Sequence, residues 1–144
     1  MVQAKGGLMK VKVRRKAHFN AAHRLYRPDW TDSKNESVFG KCSNPHYHGH
    51  NYKLMAEVEG EIDPETGFVI DMKLLKTVIY EHVTSYLDHK NLNEQIDEFS
   101  NLNPTAEHIA VVIWNRLRPH VADHLTLKIT LYETERNSVE YSGS

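Results

Sequence analysis

Polar and apolar residues alternate over residues 10–19 (Lys-Val-Lys-Val-Arg-Arg-Lys-Ala-His-Phe). That period of two predicts a β-strand with one wet face, running on to about His23. Alternation resumes over residues 50–60, where Tyr52, Leu54, Ala56 and Val58 share one face of a second strand. Between the two, residues 28–44 are polar and rich in turn formers and read as one long loop. A loop of that length in a compact domain is more often functional than idle. Asp63-Pro64-Glu65-Thr66-Gly67 reads as a turn.

The period then changes to that of a helix. Asp71 is the expected cap of a helix reaching about residue 87, with Leu75, Val78, Ile79, Val83 and Tyr86 on its apolar side. Residues 88–103 read as irregular. A second helix is expected from Pro104, with Asn103 as cap and Ala106, Ile109, Ala110, Ile113, Trp114 and Leu117 as its stripe. Two strands, residues 125–133 and 138–142, close the chain around a turn at Arg136-Asn137. The order ββααββ predicts an α+β domain: a four-stranded, largely antiparallel sheet with two helices on one face. Such a sheet leaves two edges and a bare face, which assembly with copies of itself into a ring or barrel would cover. Residues 10–144 read as a single domain and residues 1–9 as a leader or flexible N-terminus, with Met9 an alternative start.

Composition narrows the function classes. A formal charge of -1 over 144 residues, with no Lys/Arg run, argues against a nucleic-acid surface. A small phosphate-bearing substrate remains compatible, since a local cluster of cations suffices to attract it. No apolar run approaches the length of a membrane span, and the first nine residues lack a signal-peptide core. The single cysteine, Cys42, has no partner for an internal disulfide, which fits a reducing, cytoplasmic setting.

Ten histidines are the unusual feature. In His48-Gly49-His50 the two imidazoles lie two apart on a strand and point to one face, and Gly49 allows close backbone approach. His23 lies near the end of the neighbouring strand. Three neutral imidazoles suit Zn2+ and leave a fourth position open, as in catalytic sites. A His-x-His pair alone is a weak signal, and His18, His82, His120 and His124 read as surface or satisfied polar residues. His46 is near the site without being a ligand, and His108, in a first helical turn, reads as structural.

Acid–base candidates follow. Cys42, six residues before His48, is either a small buried hydrophobe or a thiolate favoured by the cation and Lys41, able to act as a general base. Its neighbours Gly40, Lys41, Ser43 and Asn44 match a core poorly. Asp88-His89 is a pair in which the carboxylate can orient the ring, although such pairs also arise by chance. Glu107 suits the N-terminal turn of a helix. Glu133, ending an apolar strand, is suited to a partner with two N–H donors, a surface salt bridge being the competing reading.

Six stretches, spread over nearly the whole chain, together carry a resemblance. They are Phe19-Asn20-Ala21-Ala22-His23-Arg24-Leu25, Phe39-Gly40-Lys41-Cys42, His48-Gly49-His50-Asn51-Tyr52, Gly60-Glu61-Ile62-Asp63-Pro64, Leu87-Asp88-His89-Lys90-Asn91-Leu92 and Leu131-Tyr132-Glu133-Thr134. In this set the chain resembles 6-pyruvoyl-tetrahydropterin synthase and its relative 6-carboxytetrahydropterin synthase. The resemblance implies the tunnelling fold, with trimers forming a β-barrel and two trimers stacking into a homohexamer with active sites between subunits. It implies that His23, His48 and His50 hold zinc, that Cys42 is the catalytic base, and that Asp88 and His89 assist, in some cases at a neighbour's metal. It implies that Glu133 anchors the pterin ring and that Thr105 and Glu107 help hold it. The implied substrate is 7,8-dihydroneopterin triphosphate, which loses triphosphate by elimination.

The product branch is read from finer detail. The five residues between Cys42 and His48, together with Phe39–Pro45 and Asp88–Leu92, resemble the pyruvoyl-forming branch. Asn103-Pro104-Thr105-Ala106-Glu107 resembles the carboxy-forming branch, which releases acetaldehyde and feeds queuosine and 7-deazaguanine synthesis. The pyruvoyl product is the preferred expectation. A dihydroneopterin aldolase and a non-catalytic zinc-binding oligomer are the rival classes.

Overall fold

The computed structural model describes residues 9–144, so the reading of residues 1–9 lies, Met9 apart, outside the described residues. Two long strands, β1 (Lys10–His23) and β2 (His48–Glu61), pair antiparallel along their whole length. β4 (Thr126–Tyr132) continues the sheet from β2, and β5 (Ser138–Tyr141) pairs with β4. These four are the expected strands. A fifth, β3 (Lys90–Asn91), joins the free side of β1 in parallel at Ala21 and Ala22, giving the order β3-β1-β2-β4-β5. The sheet is therefore five-stranded and mixed. Two residues carry no readable period, which is why residues 88–103 look irregular in sequence.

One face of the sheet is covered. Phe19, Tyr52, Leu54, Ala56, Val58, Leu127, Ile129 and Leu131 are buried against Leu75, Ile79, Val83 and Leu87 and against Ile109, Ile113 and Leu117. The first group of covering residues comes from α2 (Met72–Ile79), a π-helical turn (Tyr80–Thr84) and α3 (Ser85–Leu87); the second comes from α5 (Ala106–Leu117). Asp71 caps α2 as expected, accepting from the Lys73 N–H. The expected single helix to residue 87 thus exists, but with a π bulge in its middle.

Three other expectations change. The loop 28–44 contains α1 (Asp32–Phe39), capped by Thr31 and ended at Gly40, whose φ of 59° is the left-handed conformation that glycine adopts freely. Asn35 is the only buried residue of α1, so no apolar stripe announces the helix. Within residues 88–103 lie one turn of helix, α4 (Leu92–Gln95), and a 3-10 turn, Asp97–Phe99. Finally, α5 is capped by Thr105 rather than Asn103: the Thr105 hydroxyl accepts from the His108 N–H at 3.2 Å. The Asn103 side chain is engaged elsewhere, accepting from the Tyr26 N–H at 3.3 Å.

Two features of the sheet frame the site. β3 covers β1 only at its last residues, and among the described residues the rest of that edge has no strand partner. The face without helices carries Lys12, Arg14, Lys16, Lys53 and Lys128 alongside Glu57, Glu59 and Glu140, with Glu57 bonded to Arg14 at 2.8 Å and to Lys128 at 3.4 Å. No helix among the described residues is long and apolar enough to cross a membrane.

Candidate active site

The β1–β2 register sets His23 directly opposite His48, and Ala21 opposite His50. All three imidazoles therefore emerge on the helix-covered face at the end of the hairpin, at spacings that cross-strand neighbours share. Ring centroids are 4.5 Å apart for His23–His48, 5.1 Å for His23–His50 and 4.9 Å for His48–His50. One nitrogen from each lies within 4.8 Å of the others.

The protonation of the cluster suits a cation. His23 is fully buried, and its Nδ1 lies 2.8 Å from the Pro104 carbonyl. A carbonyl only accepts, so Nδ1 carries the proton and Nε2 keeps its lone pair. Burial lowers the His23 pKa from 6.5 to about 4; the Pro104 bond opposes that fall, and His48 and His50 add to it. The His48 pKa is also lowered, chiefly by burial and then by His50. Both rings of His48 and His50 present buried nitrogens without a hydrogen-bond partner among the described residues: His48 Nδ1 and Nε2, and His50 Nε2. Such atoms are costly unless something accepts their lone pairs. Three imidazoles whose nitrogens converge, with the Tyr52 hydroxyl 3.5 Å from His23 Nε2, fit a borderline-soft divalent metal such as zinc.

A pH dependence follows for the protein freed of metal by a chelator. The unfolded chain protonates His23 near pH 6.5, while the folded chain resists to about 4. Stability should therefore fall as pH drops through that window, by at most roughly 3 kcal/mol from this residue. Urea midpoints at pH 7 and pH 4.5 should show a larger acid-induced loss in the wild type than in His23→Gln; equal losses would contradict the assignment.

Beside the cluster lies a depression of about 250 Å³ lined by Leu25, Thr105, Ala106, Glu107, Glu133, Asn137, Ser138 and Val139. Three residues read from sequence as ring-holding, Thr105, Glu107 and Glu133, thus share one hollow. Glu133 stands at its border with the histidines, one carboxylate oxygen 3.9 Å from His23 Nε2 and the other 4.0 Å from His50 Nε2. Those distances exceed a hydrogen bond. The 6-pyruvoyl tetrahydropterin synthase family model matches residues 12–144.

The chain belongs to the 6-pyruvoyl tetrahydropterin synthase family.

A Pongo abelii relative named 6-pyruvoyl tetrahydrobiopterin synthase is 43% identical over 138 residues, covering 96% of this chain and 95% of the relative. The solved structure of Caenorhabditis elegans 6-pyruvoyl tetrahydropterin synthase superposes with a TM-score of 0.89 at 34% identity, covering 95% of this chain and 98% of that one. Another relative, from Pyrococcus furiosus, is named dihydroneopterin monophosphate aldolase and is 35% identical over 133 residues, covering 92% of this chain and 97% of the relative.

Within this synthase fold the remaining sequence candidates are not all gathered at the histidines. Cys42 lies in a 3-10 turn (Gly40–Ser43), half-buried, outside the group of converging nitrogens. Its carbonyl accepts from the Leu25 N–H at 2.8 Å, which holds the turn two residues beyond His23. The buried Tyr52 hydroxyl sits 3.4 Å from His23 Nδ1; its pKa is raised by burial first, then by the charges of Glu133 and Cys42. Asp88 and His89 do form a pair, with Oδ2 3.0 Å from Nδ1. The other carboxylate oxygen accepts from the Asn20 N–H at 2.8 Å, a bond that leads the causes lowering the Asp88 pKa. His89 has a φ of 60° and its ring is 78% exposed, at the sheet edge where β3 begins. It lines a groove of about 470 Å³ with Asn20, Gly49, His50, Asn51, Lys90 and Gln95, so one histidine of the cluster borders the same groove.

Two participants were not visible in the sequence reading. One is Tyr52, although its position two residues past His50 already put it on the same face. The other is the Pro104 carbonyl, a backbone group that no residue type signals.

Proposed function

We propose that this protein is a zinc-dependent lyase that eliminates triphosphate from 7,8-dihydroneopterin triphosphate to give 6-pyruvoyl-tetrahydropterin. The observation that carries the reading is the convergence of three imidazoles with free lone pairs next to a hollow lined by Thr105, Glu107 and Glu133. His23, His48 and His50 hold the cation, which when bound supplies Lewis acidity to an oxygen of the substrate side chain. Glu133 accepts from the N–H edge of the pterin and, with Thr105 and Glu107, fixes its register. Cys42 removes a side-chain proton as thiolate. Asp88 holds the His89 ring, which moves a second proton.

The exposed dyad, on the sheet edge where most of β1 lacks a strand partner among the described residues, supports a further part of this reading. His89 serves the site of a neighbouring subunit, and trimers close into a β-barrel that pairs into a homohexamer. The lone thiol is suited to the cytoplasm.

Product analysis by mass spectrometry after incubation with dihydroneopterin triphosphate is the test. Inorganic triphosphate with a pyruvoyl pterin is the expected result. Acetaldehyde with a carboxylated pterin would instead assign the 6-carboxytetrahydropterin synthase activity of queuosine synthesis, the reading favoured by residues 103–107. Glycolaldehyde would assign an aldolase, as the Pyrococcus furiosus relative is named. Zinc uptake without any triphosphate release would leave a non-catalytic metal-binding protein.

A further inference from the structure

We propose that His108 is a positioning residue for the metal site, acting through the backbone of Asn103 and Pro104. This rests on the reading of His23, His48 and His50 as metal ligands. His108 touches none of them. Its Nδ1 lies 2.6 Å from the Asn103 carbonyl, so that nitrogen carries the proton and donates. The next carbonyl along, that of Pro104, is the one that accepts from His23 Nδ1 at 2.8 Å.

The link between the two carbonyls is stiff. The Asn103 carbonyl and the Pro104 nitrogen share one planar peptide unit. The proline ring then fixes φ at 104, leaving ψ at 104 as the only soft torsion between the two oxygens. That torsion is restrained as well, because the Thr105 N–H donates back to the same Asn103 carbonyl at 2.8 Å. Anchoring Asn103 therefore aims the Pro104 oxygen, and the Pro104 oxygen selects the His23 tautomer that leaves Nε2 free. Partners that orient a metal-ligating histidine typically change metal affinity 10–100-fold when removed. His108 stands one step further out, so about tenfold, the low end, is expected.

His108 also supplies its backbone N–H to the Thr105 cap, but that group survives any side-chain substitution. The side-chain effect is thus separable from helix capping. The experiment is a zinc titration against a chromophoric chelator, on wild type, His108→Ala and His108→Asn, followed in metal-free protein by exchange of the His23 Nδ1 proton in NMR. Asparagine keeps a donor near the Nδ1 position. His108→Ala should bind zinc about tenfold more weakly and exchange the His23 proton faster, and His108→Asn should recover most of both. If alanine also loosens the fold, His108→Phe retains ring volume without a donor and carries the same expectation. Wild-type affinity in His108→Ala or His108→Phe, or equal losses in the asparagine and donor-free variants, would overturn the proposal. A wild type that takes up no zinc would instead overturn the metal reading beneath it.

Discussion

His48→Ala is expected to lose stoichiometric zinc and, with it, turnover. The ring sits directly across the hairpin from His23 and offers two buried nitrogens without a hydrogen-bond partner among the described residues. Removing it leaves two imidazoles, too few to hold a divalent ion tightly against solvent, with the Glu133 carboxylate, 3.9 Å from His23 and 4.0 Å from His50, bordering them outside the converging group. Since loss of even an outer partner of a ligand costs 10–100-fold, loss of the ligand itself should weaken zinc by at least about 100-fold. Two measurements separate this from damage to the fold. Saturating zinc should stabilise the wild type, by about 2.7 kcal/mol at a hundred times Kd, raising its unfolding midpoint, and should leave the midpoint of the variant unmoved. Without metal the variant should remain folded, because the substitution removes unpartnered polar atoms that each cost about 1–3 kcal/mol when buried. Retained stoichiometric zinc in His48→Ala would contradict the ligand set.

Cys42→Ala should behave in the opposite way, losing turnover while keeping the metal. The thiol is held in its own 3-10 turn, tied by a backbone bond to Leu25 just past the end of β1, and lies outside the group of three converging nitrogens. A positioned acid or base contributes about 10²–10⁴-fold, and that is the loss expected in kcat with zinc content unchanged. Cys42→Ser should not restore it, because a serine hydroxyl is a far weaker acid than a thiol. Metal analysis of the purified variant decides the matter: loss of zinc would make Cys42 a ligand and end its assignment as base.

Legibility differed from element to element for physical reasons. β1, β2 and β4 pack one face on helices and carry polar residues on the other, so their alternation largely records burial, Glu57 and Thr130 being buried polar residues of the helix-free face. The helix after Asp71 and α5 show the same correspondence at the helical period. α1 buries a single asparagine, and β3 is two residues long; neither writes a pattern into the chain. The cap of α5 was displaced by two residues because Asn103 and Thr105 are both competent caps and only the tertiary bond to Tyr26 removes Asn103 from the contest. At the site, His48 and His50 are paired by strand geometry alone, pairing of the first two strands brings in His23, and the resemblance implies the same three ligands. Glu133, Thr105 and Glu107 meet in one hollow although they come from β4's end and α5's start, a meeting that local patterning does not encode.

Strand alternation placed His23, His48, His50 and Tyr52 on inward-facing positions, and six short stretches marked the family, because both are properties of neighbouring residues. Only the folded chain decided which inward positions oppose one another, that the Pro104 carbonyl 81 residues away sets the His23 tautomer, and that Asp88 and His89 stand at the sheet edge where β3 begins, in a groove that His50 also lines. Those outcomes depend on strand register and on backbone groups brought together across the sequence. Every residue carries the same carbonyl, so its role is written in its place and not in its type.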